Sequence, residues 1–168
     1  MSERPHRIAG FSYRGLYRYS LTLCAHERRT LFVDSDKVHQ ALEQILQSDA
    51  VRAFAVAAYC FMPDHLHLLV TGQSEDADLI AFAKDVKQRV AYQRRCVDRL
   101  VWQPGYYERI LRDDEATLTV AKYILANPVR KGLVREPRDY PFSGSALWSW
   151  DQLLELWQVV DNTHVDIG

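Results

Sequence analysis

Two imidazoles stand two residues apart in the run Phe61-Met62-Pro63-Asp64-His65-Leu66-His67-Leu68-Leu69-Val70. The run is rich in Leu and Val and is entered through Pro-Asp, the pattern of a buried strand that starts at a turn. Side chains alternate across a strand, so His65 and His67 share one face while Leu66, Leu68 and Val70 share the other. Neutral imidazole is the commonest protein ligand for transition metals, and a rigid strand can hold two of them at chelating separation. Two strand histidines bonded to neighbouring carbonyls is the competing reading, and His-x-His alone does not decide between them.

A second stretch, Ala121-Lys122-Tyr123-Ile124-Leu125-Ala126-Asn127-Pro128-Val129-Arg130-Lys131-Gly132-Leu133-Val134, lies in the other half of the chain. Together with the histidine run and Trp102-Gln103-Pro104-Gly105-Tyr106-Tyr107, it resembles the single-tyrosine HUH transposases, most closely their REP-associated tyrosine transposase branch. The resemblance runs from about Gly10 to about Trp148 and rests on the order and spacing of three motifs. It implies His65 and His67 as a metal-binding pair, Tyr123 as the nucleophile and Asn127 as a polar group assisting the metal. It also implies a substrate of single-stranded DNA, often with a hairpin beside the cut, and a 5′-phosphotyrosine intermediate.

That chemistry is physically coherent. A phosphodiester is anionic, so its non-bridging oxygen must be neutralised before a nucleophile approaches, and a divalent ion does this as a Lewis acid. Tyrosine, with an ordinary pKa of ~10, needs help to lose its proton during attack. Imidazoles favour Mn²⁺ or Zn²⁺, whereas amide, phosphate and water oxygens suit Mg²⁺, so Mg²⁺ or Mn²⁺ is the expected cofactor. Asn127 has a second reading, because Asn-Pro is also a good helix N-cap followed by Pro at the first helical position. Rival functions are a metal nuclease in which water attacks, a non-catalytic binder of structured single strands, and a ferredoxin-like module with no nucleic-acid role.

The 168 residues suffice for one well-packed domain spanning 1–168. No apolar run approaches the ~20 residues needed to cross a bilayer and no signal-peptide core is present, so a cytoplasmic protein without membrane contact is expected, as monomer or homodimer. Cys24, Cys60 and Cys96 are too few and too widely spaced for a disulfide framework and read as core thiols. The net charge of −1 argues against indiscriminate polyanion binding and for local basic patches.

The elements that must position these residues can be read in order. Residues 1–9 are polar, and Gly10 to Cys24 runs into a strand with Tyr17, Tyr19, Leu21 and Leu23 on one face. Arg14 and Arg18 interleave with tyrosines there, which suits either phosphate pairing with base stacking or simple core formation. Asp34 to Gln47 has helical periodicity, with Asp34, Ser35 or Asp36 as cap. Val51 to Cys60 reads as the strand that pairs with the histidine strand as a hairpin. Ser74 to about Arg95 is a long helix with a basic stripe of Lys84, Lys87 and Arg94, flanked by Arg89 and Arg95, which is either solvated surface or a phosphate track. Leu100 to Leu111 is the fourth strand region, where Trp102, Tyr106 and Tyr107 pack, and Arg109 and Arg112 are candidate phosphate contacts. Strand, helix, strand, strand, helix, strand is the split βαβ order of an α+β, ferredoxin-like antiparallel sheet with helices on one face. A helix capped by Asp113 or Asp114 then carries Tyr123. The resemblance places it over the free sheet face, where the histidines would point. Tyr140 to Ser145 is turn-rich, and Trp150, Leu153, Leu154 and Trp157 mark an amphipathic helix within 150–168 that docks on the body or on a partner chain.

Overall fold

The computed structural model describes residues 7–94, 101–112 and 114–163. Arg95, Cys96 and Asp113 therefore lie outside the described residues. Five antiparallel strands make one sheet in the order β4-β1-β3-β2-β5, with β1 at Arg18–Cys24, β2 at Phe54–Met62, β3 at His65–Gly72, β4 at Tyr107–Leu111 and β5 at Ser143–Gly144. The first four strands have the expected ferredoxin-like arrangement. Between them run α1 (Ser35–Arg52) and α2 (Leu79–Arg94), followed by α3 (Asp114–Leu125), α4 (Asn127–Arg130) and α5 (Trp150–Thr163).

The sheet separates two apolar cores. On one face Tyr19, Leu21, Leu23, Leu66, Leu68 and Val70 meet Val38 and Ile45 of α1 and Phe82, Val86 and Val90 of α2. On the other, Ala58, Cys60, Met62 and Leu69 meet Ala121, Ile124 and Leu125 of α3 and Leu153 and Trp157 of α5. The tyrosine-bearing helix thus covers the face left free by the βαβ units, as expected. It is the face of β3 to which His65 and His67 belong, since they alternate with Leu66 and Leu68 and share parity with Leu69.

A bulge makes β2 serve both cores. Val56 pairs with Val70 and Ala58 with Leu69, which leaves Ala57 as an extra residue. Even-numbered Phe54 and Val56 face α1 and α2 before it, whereas even-numbered Ala58, Cys60 and Met62 face α3 after it. Without the extra residue, one end of the strand would present its apolar side chains to the wrong layer.

Element ends differ from expectation in instructive ways. Helix α1 continues to Arg52 instead of ending at Gln47, and stops at Ala53, whose φ of 55° is left-handed; β2 consequently starts at Phe54, not Val51. Its start is capped as read, the Lys37 amide donating to Asp34 Oδ1 at 3.0 Å. Strand β4 is shorter than the Leu100–Leu111 region, because Trp102 forms only an isolated bridge to Ala25. Strand β5, within the segment read as turns, adds a short edge to β2 through Tyr59↔Gly144 and Cys60↔Ser143. Helix α5 begins with a reciprocal capping box, Gln152 N–H to Ser149 Oγ at 3.2 Å and Ser149 N–H to Gln152 Oε1 at 2.9 Å. It docks on its own chain, with Lys122 of α3 bridging to Asp161 at 2.6 Å.

Tyr13 and Tyr19 belong to the core under α2, stacked at 6.2 Å, which settles their ambiguity in favour of packing. No helix among the described residues is long and apolar enough to cross a membrane.

Candidate nucleic-acid processing site

The Pro63-Asp64 turn is the tightest connection in the sheet, with Met62 and His65 directly paired across it. Both turn residues are fastened: Pro63 O accepts the amides of Leu31 and Phe32 at 2.8 and 3.0 Å, and Asp64 O accepts that of Ala25 at 2.9 Å. The histidines therefore project from a rigid corner.

Their rings are held from behind. The Asp64 carboxylate takes His65 Nδ1–H at 2.6 Å through Oδ1 and Arg28 Nε at 3.2 Å through Oδ2. This holds the ring with its Nε2 toward His67. His67 Nδ1 lies 3.0 Å from Thr22 Oγ1, its cross-strand partner on β1. A hydroxyl can donate or accept, so Thr22 tolerates either His67 tautomer. The two Nε2 atoms face one another at 3.1 Å. Burial, followed by the charges of His65, Arg130 and Arg28, lowers the His67 pKa to about 4. At neutral pH His67 is uncharged, the form that ligates a cation.

Cys60 pairs with His67 from the other side; burial pushes its thiol up to about 12, against a smaller lowering by Arg130, and the Sγ rests 3.7 Å from Met62 Sδ. Among the described residues no group of three or more His, Cys, Asp or Glu side chains converges on a common point.

Tyr123 stands off the buried stripe of α3, 62% exposed. Its ring is covered by the Arg130 guanidinium, 3.8 Å from the ring centroid, and its carbonyl accepts Arg130 Nη1–H at 2.9 Å. The charge of Arg130 is one of the smaller causes lowering the His67 pKa. Asn127 is buried and is the first residue of α4, not its cap. The cap position is Ala126, already in helical geometry, and the Ala126 amide donates back to Lys122 O at 2.9 Å. The Asn-Pro pair thus prolongs the path of α3 rather than opening a separate helix.

The expected basic contacts divide. The stripe on α2 lies on the sheet face opposite the histidines, because both βαβ helices pack there. Lys87 is spent on the chain itself, donating to Gln103 O and Gly105 O at 2.7 and 2.9 Å, and Arg94 donates to Leu31 O at 2.7 Å over the Phe32 ring. Lys84 is exposed on α2. Arg14 pairs with Asp78 at 3.1 Å, and Arg18 opens β1 at the end away from the histidine pair. Arg109 and Arg112 line a cavity of about 470 Å³ at the β4 edge with Phe11, Tyr13 and Glu108. Arg109 shares the histidine face: Tyr107, Thr22 and His67 form one cross-strand row, and Arg109, Ser20 and Leu69 the next row on that face.

Sequence reasoning missed Asp64, Thr22 and Arg130. A carboxylate adjoining the first histidine was a usable signal for Asp64. Thr22 could be found only once the strand register was known.

The model of the family described as "Transposase IS200 like" matches residues 14–127, the span from Arg14 to Asn127 that contains both histidines and Tyr123. The chain belongs to the IS200-like transposase family. It is therefore an enzyme of DNA strand transfer. The REP-associated tyrosine transposase of Escherichia coli K12 is 29% identical over 144 residues, covering 85% of this chain and 82% of that protein. A Haemophilus influenzae protein provisionally given the same name is 28% identical over 145 residues, covering 79% and 81%. In fold, the chain is similar to a REP-associated tyrosine transposase solved bound to a REP hairpin, with a TM-score of 0.70 at 24% identity over 85% of this chain and 82% of that one.

Proposed function

We propose that this IS200-like transposase cleaves and rejoins single-stranded DNA beside a hairpin, through a covalent 5′-phosphotyrosine bond at Tyr123. The observation that carries the reading is the pair of Nε2 atoms 3.1 Å apart on the sheet face that α3 covers. Two adjacent ligands of one ion with bonds of roughly 2.1 Å stand about 3 Å apart, so the pair fits a divalent cation. His65 and His67 would hold Mg²⁺ or Mn²⁺, the Asn127 amide oxygen and the DNA phosphate adding the oxygen ligands those ions favour. When bound, the ion supplies Lewis-acid neutralisation of the scissile phosphate.

The remaining work falls to the chain. Asp64 and Thr22 keep both rings turned with their Nε2 atoms toward one another. The Tyr123 oxygen attacks phosphorus, the phenol proton leaves, the bond from phosphorus to the 3′-oxygen breaks, and that oxygen takes up a proton as a 3′-hydroxyl. The new ester conserves the bond, so another 3′-hydroxyl reverses the step without an external energy source. Arg109, exposed on the same sheet face, and Arg112 at the β4 edge offer contacts to flanking phosphates. A hairpin ligand for this chain is supported by the REP hairpin bound to the solved relative.

The test is incubation with labelled single-stranded hairpin DNA and Mn²⁺, followed by a denaturing gel. Wild type should form a covalent adduct that Tyr123→Phe abolishes, and His65→Ala/His67→Ala should abolish the cleavage that Mn²⁺ supports. Cleavage without adduct would favour attack by water; binding without cleavage would favour a non-catalytic role. Undiminished adduct in the Phe variant would move the nucleophile, with Tyr106 and Tyr107 next to test.

A further inference from the structure

Arg130 does more at Tyr123 than its place in the chain requires. The backbone beyond α3 folds through one further turn, with Arg130 N–H on Ala126 O at 3.1 Å and Lys131 N–H on Asn127 O at 3.0 Å. Pro128 occupies the second position of that turn. The turn returns the Arg130 side chain over α3, where it touches Tyr123 at both its ends. Nη1 donates to the carbonyl at 2.9 Å, and the guanidinium lies 3.8 Å from the centre of the ring. An exposed phenol on two side-chain torsions otherwise samples several staggered orientations. A planar cation against its face favours one of them, and Arg, unlike Lys, has the flat surface to stack.

We propose that Arg130 is the positioning residue for the nucleophile, its guanidinium clamping the Tyr123 ring in the attacking orientation and leaving the hydroxyl free. The clamp rests on the reading of Tyr123 as nucleophile. A competing role is purely structural, a tie between Arg130 and the end of α3.

The two are separated by Arg130→Lys, which can still donate to the Tyr123 carbonyl but cannot stack. For wild type, Arg130→Lys and Arg130→Ala, three quantities are measured: the single-turnover rate of adduct formation on a hairpin oligonucleotide with Mn²⁺, the Kd for that oligonucleotide, and Tm. Both variants should form adduct roughly ten- to a hundredfold more slowly at nearly unchanged Kd, the loss expected from a reacting group held less precisely. A Lys variant with the wild-type rate, an Ala variant with the wild-type rate, or a loss fully matched by weaker DNA binding would each overturn the clamp. Ring orientation is also read without catalysis, by ¹⁹F NMR of protein carrying 3-fluorotyrosine at position 123. Loss of Arg130 should shift that resonance, and an unshifted line would overturn the proposal even if wild type formed no adduct. Absence of adduct from wild type would instead count against Tyr123 as nucleophile.

Discussion

His65 is held by a carboxylate that is itself held, since Asp64 bonds the ring through one oxygen and Arg28 through the other. Such a partner fixes the orientation of the ring that would ligate a metal. Asp64→Ala should therefore raise the Mn²⁺ concentration needed for half-maximal adduct formation by about 10–100-fold. Asp64→Asn, which still offers an oxygen to Nδ1–H, should fall between the two; an Ala variant with an unchanged Mn²⁺ requirement would remove Asp64 from the site. Strand alternation made the shared face of His65 and His67 legible in the sequence, since it needs only a period of two. Arg130 was not legible. Its meeting with Tyr123, seven positions earlier, is the i, i+7 spacing of a continued helix, which Pro128 between them disguises.

The strands are joined to their surroundings by close backbone approaches that tolerate little change. Gly72 ends β3, and a Cβ placed there would meet the Gly15 carbonyl oxygen at 2.1 Å, backbone that has no rotamer to yield. Gly72→Ala should lower stability by about 2–3 kcal/mol, in the range for overpacking. In a chain of this length that corresponds to a Tm some 4–12 °C lower by thermal melt. Tm unchanged to within a degree would mean the Gly15 loop relaxes freely. Elements with strong periodicity were readable in the sequence: α1, α2, α5 and the four principal strands. Their ends were less so, because Ala53 terminates α1 in a left-handed conformation without the usual glycine, and nothing about Ala57 marks it as a bulge. Strand β5 escaped because two residues cannot display alternation.

Part of the positive charge is held within the chain. The net charge is −1, and Arg14, Arg28, Arg89, Lys122 and Arg138 each pair with an aspartate. Lys87 and Arg94 donate to backbone carbonyls. If three or four phosphates are neutralised, log K for single-stranded DNA should fall with log salt at a slope of roughly −2 to −3. Titration by fluorescence anisotropy across a range of NaCl concentrations measures it, and a slope near −6 would mean about eight or nine phosphate contacts instead. The covering of both sheet faces by helices was legible from the βαβ order and the family resemblance together.

β3 is flanked by β1 and β2, so the backbone that carries both rings is laced into ladders on either side. Amides there should exchange with solvent only when the entire sheet comes apart. The Nε2 atoms are in effect a fixed anvil, and any accommodation to strands of different shape must be made by the helix that brings the phenol down upon it.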